Sequence, residues 1–587
     1  MGKPRLTLPW SRLLLQALGL ALVWAAGPGI LRADGVFPLA LPGLALWAHV
    51  TRRAPSGYER RAWITDWLAV ALLVGAEMAW VVYVAPPMLP VVALGLSAPL
   101  LVAGCALRRI ANPAHAWSLP LALALPLAWV GAEALQHLLP QPFGVSWLDL
   151  GHPWIVAPVL AGSARVWGVW GLSWCAAALA GLALDLFERR ARLAPALALG
   201  LAPLGLGVLA SLATRPAPTE PGPRLLLVQP GIPQEVKNEG TDGLLILRTS
   251  LQHTAEGLKA GREAGRSAPD LVCWGETMFP VFVLADGLIE RFEQGLALPE
   301  TAFPLTLEQY RETRLWERVI IDGSLYGKPL PPELQSLSSL ELPQRTSFLC
   351  GAEVLFEEDG RVRRGNGVVL WNGADGLKQP FALKQRLVPG AETFYGLERY
   401  EVVRAGVRYF APYLPDLRPG AHTQVLELAR EGGRPVRFSA SVCFDNAFVE
   451  PYAAATADEH AAGRGLDFHL VVTNEAWYRG GYELDQMLCF SRLAALASAR
   501  ALVRASNDGI SVAFDAAGRE LARLRSRGRD REVAGHLEVT VPVPVDPAGA
   551  GLTPYVRTRH GWPWLALIAL AGAWVLARVR NRGPGRE

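Results

Sequence analysis

Lysine is scarce in this chain. Six stand among 587 residues, at positions 3, 237, 259, 328, 378 and 384, although Lys and Arg together number 57. Arginine is therefore the default cation, and a lysine at a strand end can stand there because a compact, titratable ammonium is needed. Charge of either sign is thin, at 19% of residues, and the net charge is only +4. With no basic block interleaved with aromatics, a nucleic-acid surface is not expected. Cysteine is sparse as well: there are six, with no Cys-x-x-Cys and no His-x-x-x-His spacing, so no metal site is expected. Repeats and low-complexity tracts are missing. Between residues 222 and 542 no apolar run has spanning length, so that segment reads as a water-soluble domain.

What the chain has in abundance is apolar surface. It is 51% hydrophobic with a mean hydropathy of +0.22 and carries 20 tryptophans. Apolar stretches of spanning length lie near 12–28, 34–50, 64–85, 88–107, 117–136, 164–186, 193–213 and 562–578, the second interrupted by Pro38 and Pro42. Basic residues alternate with these stretches. Lys3, Arg5 and Arg12 precede the first; Arg52, Arg53, Arg60 and Arg61 follow the second; Arg108 and Arg109 follow the fourth. Arg189, Arg190 and Arg192 follow the sixth, and Arg578, Arg580, Arg582 and Arg586 close the chain. The intervening loops carry almost none apart from Arg32. This positive-inside pattern predicts about eight spans, both termini in the cytoplasm and the soluble domain outside. The expected plan is a membrane domain over 1–214, a Pro-rich linker at 215–223 and an extracytoplasmic domain at 224–545. A second linker at 546–561, an eighth span at 562–580 and a tail at 581–587 complete it. Intramembrane charges are few (Asp66, Glu77, Glu133), which argues against a transporter.

The soluble segment opens as an α/β unit: a strand in "RLLLVQPGIPQ" (224–234), a helical pattern over 241–265, then the short strand "PDLVCWGE" ending at Glu276. Active groups commonly sit where strands end in such folds. Glu276 ends a strand; Glu300, in the similar "LPETAFPL", has no strand before it and is the weaker candidate. Lys384 follows the strand-like "QPFAL", and its alternative is an ordinary surface lysine. In "VRFSASVCFDNAF" a strand delivers Cys443 into a turn with Asp445 and Asn446. That placement suits a nucleophile, whose thiolate a nearby ammonium would favour. A buried structural cysteine, or a disulfide with Cys273, Cys350 or Cys489, are the other readings. Asn474 and Asn507 each follow a strand-like run, with turn chemistry as their alternative. A long amphipathic helix is expected between them.

Glu, Lys and Cys in that order, each at a strand end, resemble the nitrilase (carbon–nitrogen hydrolase) superfamily: "DLVCWGET" resembles its glutamate motif, "LKQRLVPGAE" its lysine motif and "SVCFD" its cysteine motif. "LVQPGIPQ", "KQRLVP", "TNEAW" and "RALVRASNDGIS", set between a seventh and an eighth span, resemble the apolipoprotein N-acyltransferases in particular. The resemblance implies an αββα sandwich carrying a Glu276–Lys384–Cys443 triad, a polytopic membrane domain and a ping-pong reaction that uses no cofactor or metal. It implies a phospholipid acyl donor, a diacylated apolipoprotein acceptor, the bacterial inner membrane as location, and a monomer. Supporting roles fall to Glu392 beside the lysine or the base, to Phe444 through its backbone N–H, and to Asp445, Asn474 and Trp477. The loop 385–412 would be a lid or a plain surface loop.

The chain departs from the family at several points. Gly275 stands for the usual proline before the glutamate, and Gly390-Ala391-Glu392 for Phe-Gly-Glu. Phe444-Asp445 replaces Tyr-Glu, Asn238 replaces a tryptophan, and residues 281–345 form an extra stretch. A membrane-tethered amidase and a non-catalytic lipoprotein-binding relative are the rival readings. The triad residues alone do not separate water from an amine as acyl acceptor.

Overall fold

A computed structural model describes residues 10–53, 62–188, 193–238, 243–299, 305–329, 339–373, 376–394, 396–397, 400–402, 417–430 and 432–581. Two compact units result: Met1–Arg215 with Gly481–Ala497 and Thr553–Glu587, and Pro216–Gly480 with Ser498–Leu552.

In the first unit each of the eight apolar stretches holds a helix: Trp10–Ala25, Ala40–Thr51, Ala62–Glu77, Leu89–Ile110, Leu121–Leu138, Ala164–Glu188, Leu193–Ala213 and Gly561–Arg580. Among the described residues five segments are long and apolar enough to cross a membrane: Pro86–Ile110, Leu121–Leu138, Ala161–Glu188, Leu193–Ala213 and Gly561–Arg580. The second stretch is short because Pro38 falls in a preceding 3₁₀ turn, Phe37–Leu39. Pro42 falls in the first helical turn, where a missing N–H costs nothing. The third stops at Glu77, and the Tyr482 hydroxyl takes the freed groups there, donating to the Ala76 carbonyl and accepting from the Ala79 N–H. Predicted basic ends meet in a buried cluster. Arg12 donates to Asp66 at 3.0 Å, to the Thr65 hydroxyl at 3.2 Å and to backbone carbonyls of Val50, Thr51 and Arg53, while Arg108 pairs with the other Asp66 oxygen.

The helix Glu483–Ser498 differs from its amphipathic expectation: nearly every residue is buried, polar ones included. The reason is pairing inside the first unit. Gln486 donates to Glu77 at 2.8 Å and accepts from the indoles of Trp80 and Trp147 at 3.1 and 3.0 Å.

The second unit contains fourteen described strands: β1 Thr219–Gln229, β2 Leu271–Trp274, β3 Val283–Leu284, β4 Ser347–Glu358, β5 Arg361–Asn372, β6 Leu377–Lys378, β7 Ala382–Leu383, β8 Val425–Leu428, β9 Val436–Val442, β10 Phe468–Thr473, β11 Ala501–Ser506, β12 Val512–Phe514, β13 Glu520–Arg523 and β14 Gly535–Pro544. One sheet runs β14-β1-β2-β4-β5-β6, with β3 on β4 and β7 on β5; the other runs β13-β12-β11-β10-β9-β8. Strand residues alternate between faces. Leu225, Leu227, Leu271 and Leu349 of one sheet therefore meet Phe438, Ala440, Phe468 and Leu470 of the other in a common core. Each fully buried Leu or Phe side chain there contributes about 1.5–3 kcal/mol. Helix Gly243–Glu263 covers the outer face of the first sheet through Leu247, Leu251 and Leu258. Helix Glu450–Ala461 covers the second, with Tyr452 over Ser441 and His469. The layers are thus helix, sheet, sheet, helix.

The extra stretch at 281–345 is folded where it is described. Leu288 and Phe292 of helix Leu288–Glu293 and Tyr310 of helix Leu307–Arg318 close a small core with Leu284 and with Leu355 of β4. Thr306 and Gln309 form a capping box at the second helix.

Candidate active site

Parallel strands β1, β2 and β4 deliver their carboxyl ends to one rim of the first sheet, as do β9, β10 and β11 in the second. Glu276 lies two residues past β2 and is 6% exposed. Its backbone is wedged between strand ends. The Glu276 N–H donates to the Thr473 carbonyl at 3.3 Å, and the Gly351 N–H donates to the Gly275 carbonyl at 3.1 Å. A Cβ on Gly275 would stand 2.7 Å from the Asn507 nitrogen, and one on Gly351 would stand 2.5 Å from the Glu276 Cα. The departure at 275 thus has a local reason: this turn has no room for a side chain. The next residue, Thr277, is left-handed at φ 51°.

The carboxylate is held on both oxygens. Its Oε1 accepts from Asn366 Nδ2 at 2.8 Å and faces Lys384 Nζ at 3.5 Å; its Oε2 accepts from the Asn474 N–H at 2.9 Å. Lys384 follows β7, is 1% exposed, and donates to Glu392 Oε1 at 2.9 Å. Glu392 in turn accepts from the Val388 N–H at 2.8 Å and from Asn366 at 3.4 Å. Burial opposes the Lys384 ammonium, but the carboxylates of Glu392 and Glu276 outweigh it and hold its pKa well above the usual lysine range.

Cys443 begins a 3₁₀ turn, Cys443–Ala447, directly after β9, and is left-handed at φ 46°. A non-glycine residue in that region is uncommon and strained, as at a sharp nucleophile elbow. All six cysteines are free. The neighbouring ammonium of Lys384 does pull the thiol pKa down, as expected, but it is outweighed. Burial comes first and Glu276 adds to it, and together they outweigh Lys384 and push the Cys443 thiol well above its ordinary value. The resting group is a thiol, and it needs a base.

Asp445 is fully buried and ties the cysteine turn to the lysine loop. It accepts from the N–H groups of Gln385 at 3.1 Å, Arg386 at 2.8 Å and Val442 at 3.2 Å. Burial raises its pKa to about 6 against these donors and Lys384. Phe444 is buried, edge-on to Phe448, whose face carries the Arg386 guanidinium at 4.3 Å. Asn474 is more than a turn residue: beyond its N–H to Glu276, its side chain donates to Gln234 at 2.8 Å and accepts from Asn507 at 2.9 Å. Asn507 also exchanges two hydrogen bonds with the Ile232 backbone.

Trp477 is 38% exposed and, among the described residues, makes no hydrogen bond or ring contact, so the structure does not join it to this cluster. Glu300 lies outside the described residues, as do 395, 398–399 and 403–412 of the 385–412 loop. The sequence reading missed Asn366 and Gln234. Asn366 carried a signal, a polar side chain between two glycines in the otherwise apolar strand "GNGVVL". Among the described residues no group of three or more His, Cys, Asp or Glu side chains has metal-binding geometry. A thiol, a carboxylate and an ammonium so arranged suit nucleophilic acyl chemistry, with the carboxylate as base.

Comparison with known proteins gives the same direction. The family model of the apolipoprotein N-acyltransferase N-terminal domain matches residues 18–182. An apolipoprotein N-acyltransferase of Bordetella bronchiseptica is 28% identical over 97% of both chains. Another, of Azotobacter vinelandii, is 28% identical over 94% of this chain and 93% of its own. Among solved structures, a CN-hydrolase superfamily protein of Xanthomonas campestris aligns with 62% of this chain and 98% of its own, at 14% identity and a TM-score of 0.28. That score is too low to bear on the fold, which rests on the strand order above. Relatives that match end to end and the matching N-terminal domain make this chain similar, over nearly its whole length, to the apolipoprotein N-acyltransferases.

Proposed function

We propose that this protein moves a fatty acyl chain from a phospholipid to the N-terminal amine of diacylglyceryl-cysteine apolipoproteins through a thioester on Cys443. The observation that carries the reading is the buried contact between Lys384 and Glu276, 3.5 Å apart at two strand ends, acting on a cysteine held at a left-handed elbow. Glu276 is the general base. It takes the thiol proton, and the sulfur attacks the ester carbonyl. Lys384 and the Phe444 N–H stabilise the tetrahedral oxyanion. Collapse breaks the ester C–O bond, returns the proton to the leaving alcohol and releases a lysophospholipid. In the second half the acceptor amine attacks the thioester, Glu276 takes the amine proton, and the thiol is restored as the amide forms. Glu392 keeps Lys384 charged and aimed.

The finer topology belongs to the same reading: about eight spans, both termini cytoplasmic, and the 224–545 segment outside the bacterial inner membrane. The alternating basic loops support it, and so does the gathering of Arg12 and Arg108 around Asp66, with Arg52 and Arg53 paired to Glu188. Both substrates are then lipid-anchored, as an enzyme anchored in the bilayer requires.

The test is transfer in detergent micelles. Purified protein, phospholipid and a synthetic diacylated lipopeptide are mixed, with Cys443→Ala as control, and mass spectrometry follows the peptide amine. One added acyl chain that depends on Cys443 is the expected result. Free fatty acid with no acylated peptide, from folded protein, would assign a hydrolase instead. No product at all would leave the non-catalytic relative.

A further inference from the structure

Lys237 is one of only six lysines, and it lies within the site without belonging to the proposed triad. It sits on the short helix Gln234–Asn238, half-buried. Its Nζ donates to the Thr277 hydroxyl at 2.6 Å and to the Glu276 carbonyl at 3.4 Å. We propose that Lys237 is a positioning residue for Glu276: it clamps the left-handed peptide that follows the carboxylate and so sets the carboxylate's aim at Cys443. The inference rests on reading Glu276 as the base.

Three observations carry it. First, Thr277 is β-branched, yet it stands at φ 51°, where such residues are rare and strained. A conformation of that kind persists only when its surroundings over-determine it. Gly351 presses on this turn from one side, and its carbonyl accepts from the Met278 N–H at 3.1 Å. Lys237 holds the other side through hydroxyl and carbonyl.

Second, Gln234 and Lys237 are three residues apart on one turn, hence neighbours on one face. Gln234 bonds Asn474, whose N–H binds Glu276 Oε2, while Lys237 bonds the Glu276–Thr277 backbone. A single helical turn therefore grips the base from both its carboxylate and its peptide. Third, the residue type fits. An ammonium supplies compact donors to two oxygens close together, where a planar guanidinium would need a wider, flatter site. Burial lowers the Lys237 pKa to about 8 against the pull of Glu276, so the donor stays protonated at neutral pH.

The experiment is a double-mutant cycle on the full chain in detergent, with p-nitrophenyl butyrate as probe. This activated ester acylates Cys443 without a phospholipid or an amine acceptor. The burst of nitrophenol gives the acylation rate, and intact mass places the acyl group on Cys443. Lys237→Met is expected to slow the burst by about ten- to a hundredfold without changing its amplitude. In a Thr277→Gly background, where φ near 50° costs nothing and the hydroxyl is gone, the same change is expected to cost about threefold or less. An unaltered burst in Lys237→Met, or an equal loss in both backgrounds, overturns the proposal. If Lys237→Met fails to unfold cooperatively on heating, Lys237→Gln takes its place in the same cycle. No burst from the unaltered protein sinks the base reading and this inference together. A burst without later transfer to a lipopeptide amine sinks the transferase reading alone, and Lys237 is still judged on the burst.

Discussion

Two buried charge clusters, one in each unit, look alike on paper and differ in every chemical detail. In the first unit Asp66 sits between Arg12 and Arg108, and Arg12 spends its donors on backbone carbonyls, Thr65 and Asp66. In the second, Glu276 and Glu392 flank Lys384, with Cys443 beside them. The first is built from arginines that do not release protons; the second uses a scarce lysine and a titratable thiol. Left-handed non-glycine residues, Thr277 and Cys443, adjoin the second. Burial forces pairing in both. On the proposed function, what separates a structural ion cluster from a reactive one is the presence of groups that can exchange protons and of backbone strain that aims them.

The largest effect should come from the thiol. Cys443→Ala should abolish thioester formation outright, and Lys384→Met should lower acyl transfer by about 10²–10³-fold through loss of the oxyanion donor. Transfer near the wild-type rate in either would erase the distinction between the clusters. Glu276→Gln comes next, at about 10²-fold or more, and carries a sign test. The Glu276 carboxylate helps to raise the thiol pKa, so its removal should move the pH profile of Cys443 alkylation by iodoacetamide downward. Lys384→Met should move the same profile upward. A profile that stays put in both variants would mean that neither group faces the sulfur.

Asp66→Asn should do the opposite of these. It leaves two arginines short of a partner and should cost about 3–5 kcal/mol of stability, read as a fall in thermal midpoint, with transfer per folded molecule unchanged. Asp445→Ala should be milder, about 1–3 kcal/mol, because the N–H groups of Gln385, Arg386 and Val442 lose their acceptor. Trp477→Ala should change thermal stability by less than about 0.5 kcal/mol, as expected of an exposed side chain.

Much of this was legible in the chain, for identifiable reasons. Apolar periodicity and length announced the eight long apolar helices named above for the first unit, because burial in lipid or protein writes itself as hydrophobicity. Strand ends were legible at Glu276 and Cys443, where a short apolar run stops at a polar residue. Asn366, Gln234 and Lys237 were not, since each is one polar residue whose partner lies far away in sequence: Asn366 is 90 residues from Glu276 and Lys237 is 40 from Thr277. The burial of helix Glu483–Ser498 was hidden for the same reason. Its polar residues read as a solvent face until Glu77, Trp80 and Trp147 are seen to satisfy Gln486.

By itself, then, the sequence determined where apolar helices and strands run and which residue types stand at strand ends, because those depend on neighbours a few positions away. Tertiary structure alone decided which carboxylate faces which ammonium, that the Cys443 thiol is pushed up rather than down, and that Thr277 stands in a left-handed turn. Those outcomes are sums of desolvation and charge over groups tens to hundreds of residues apart, and no local pattern carries that sum.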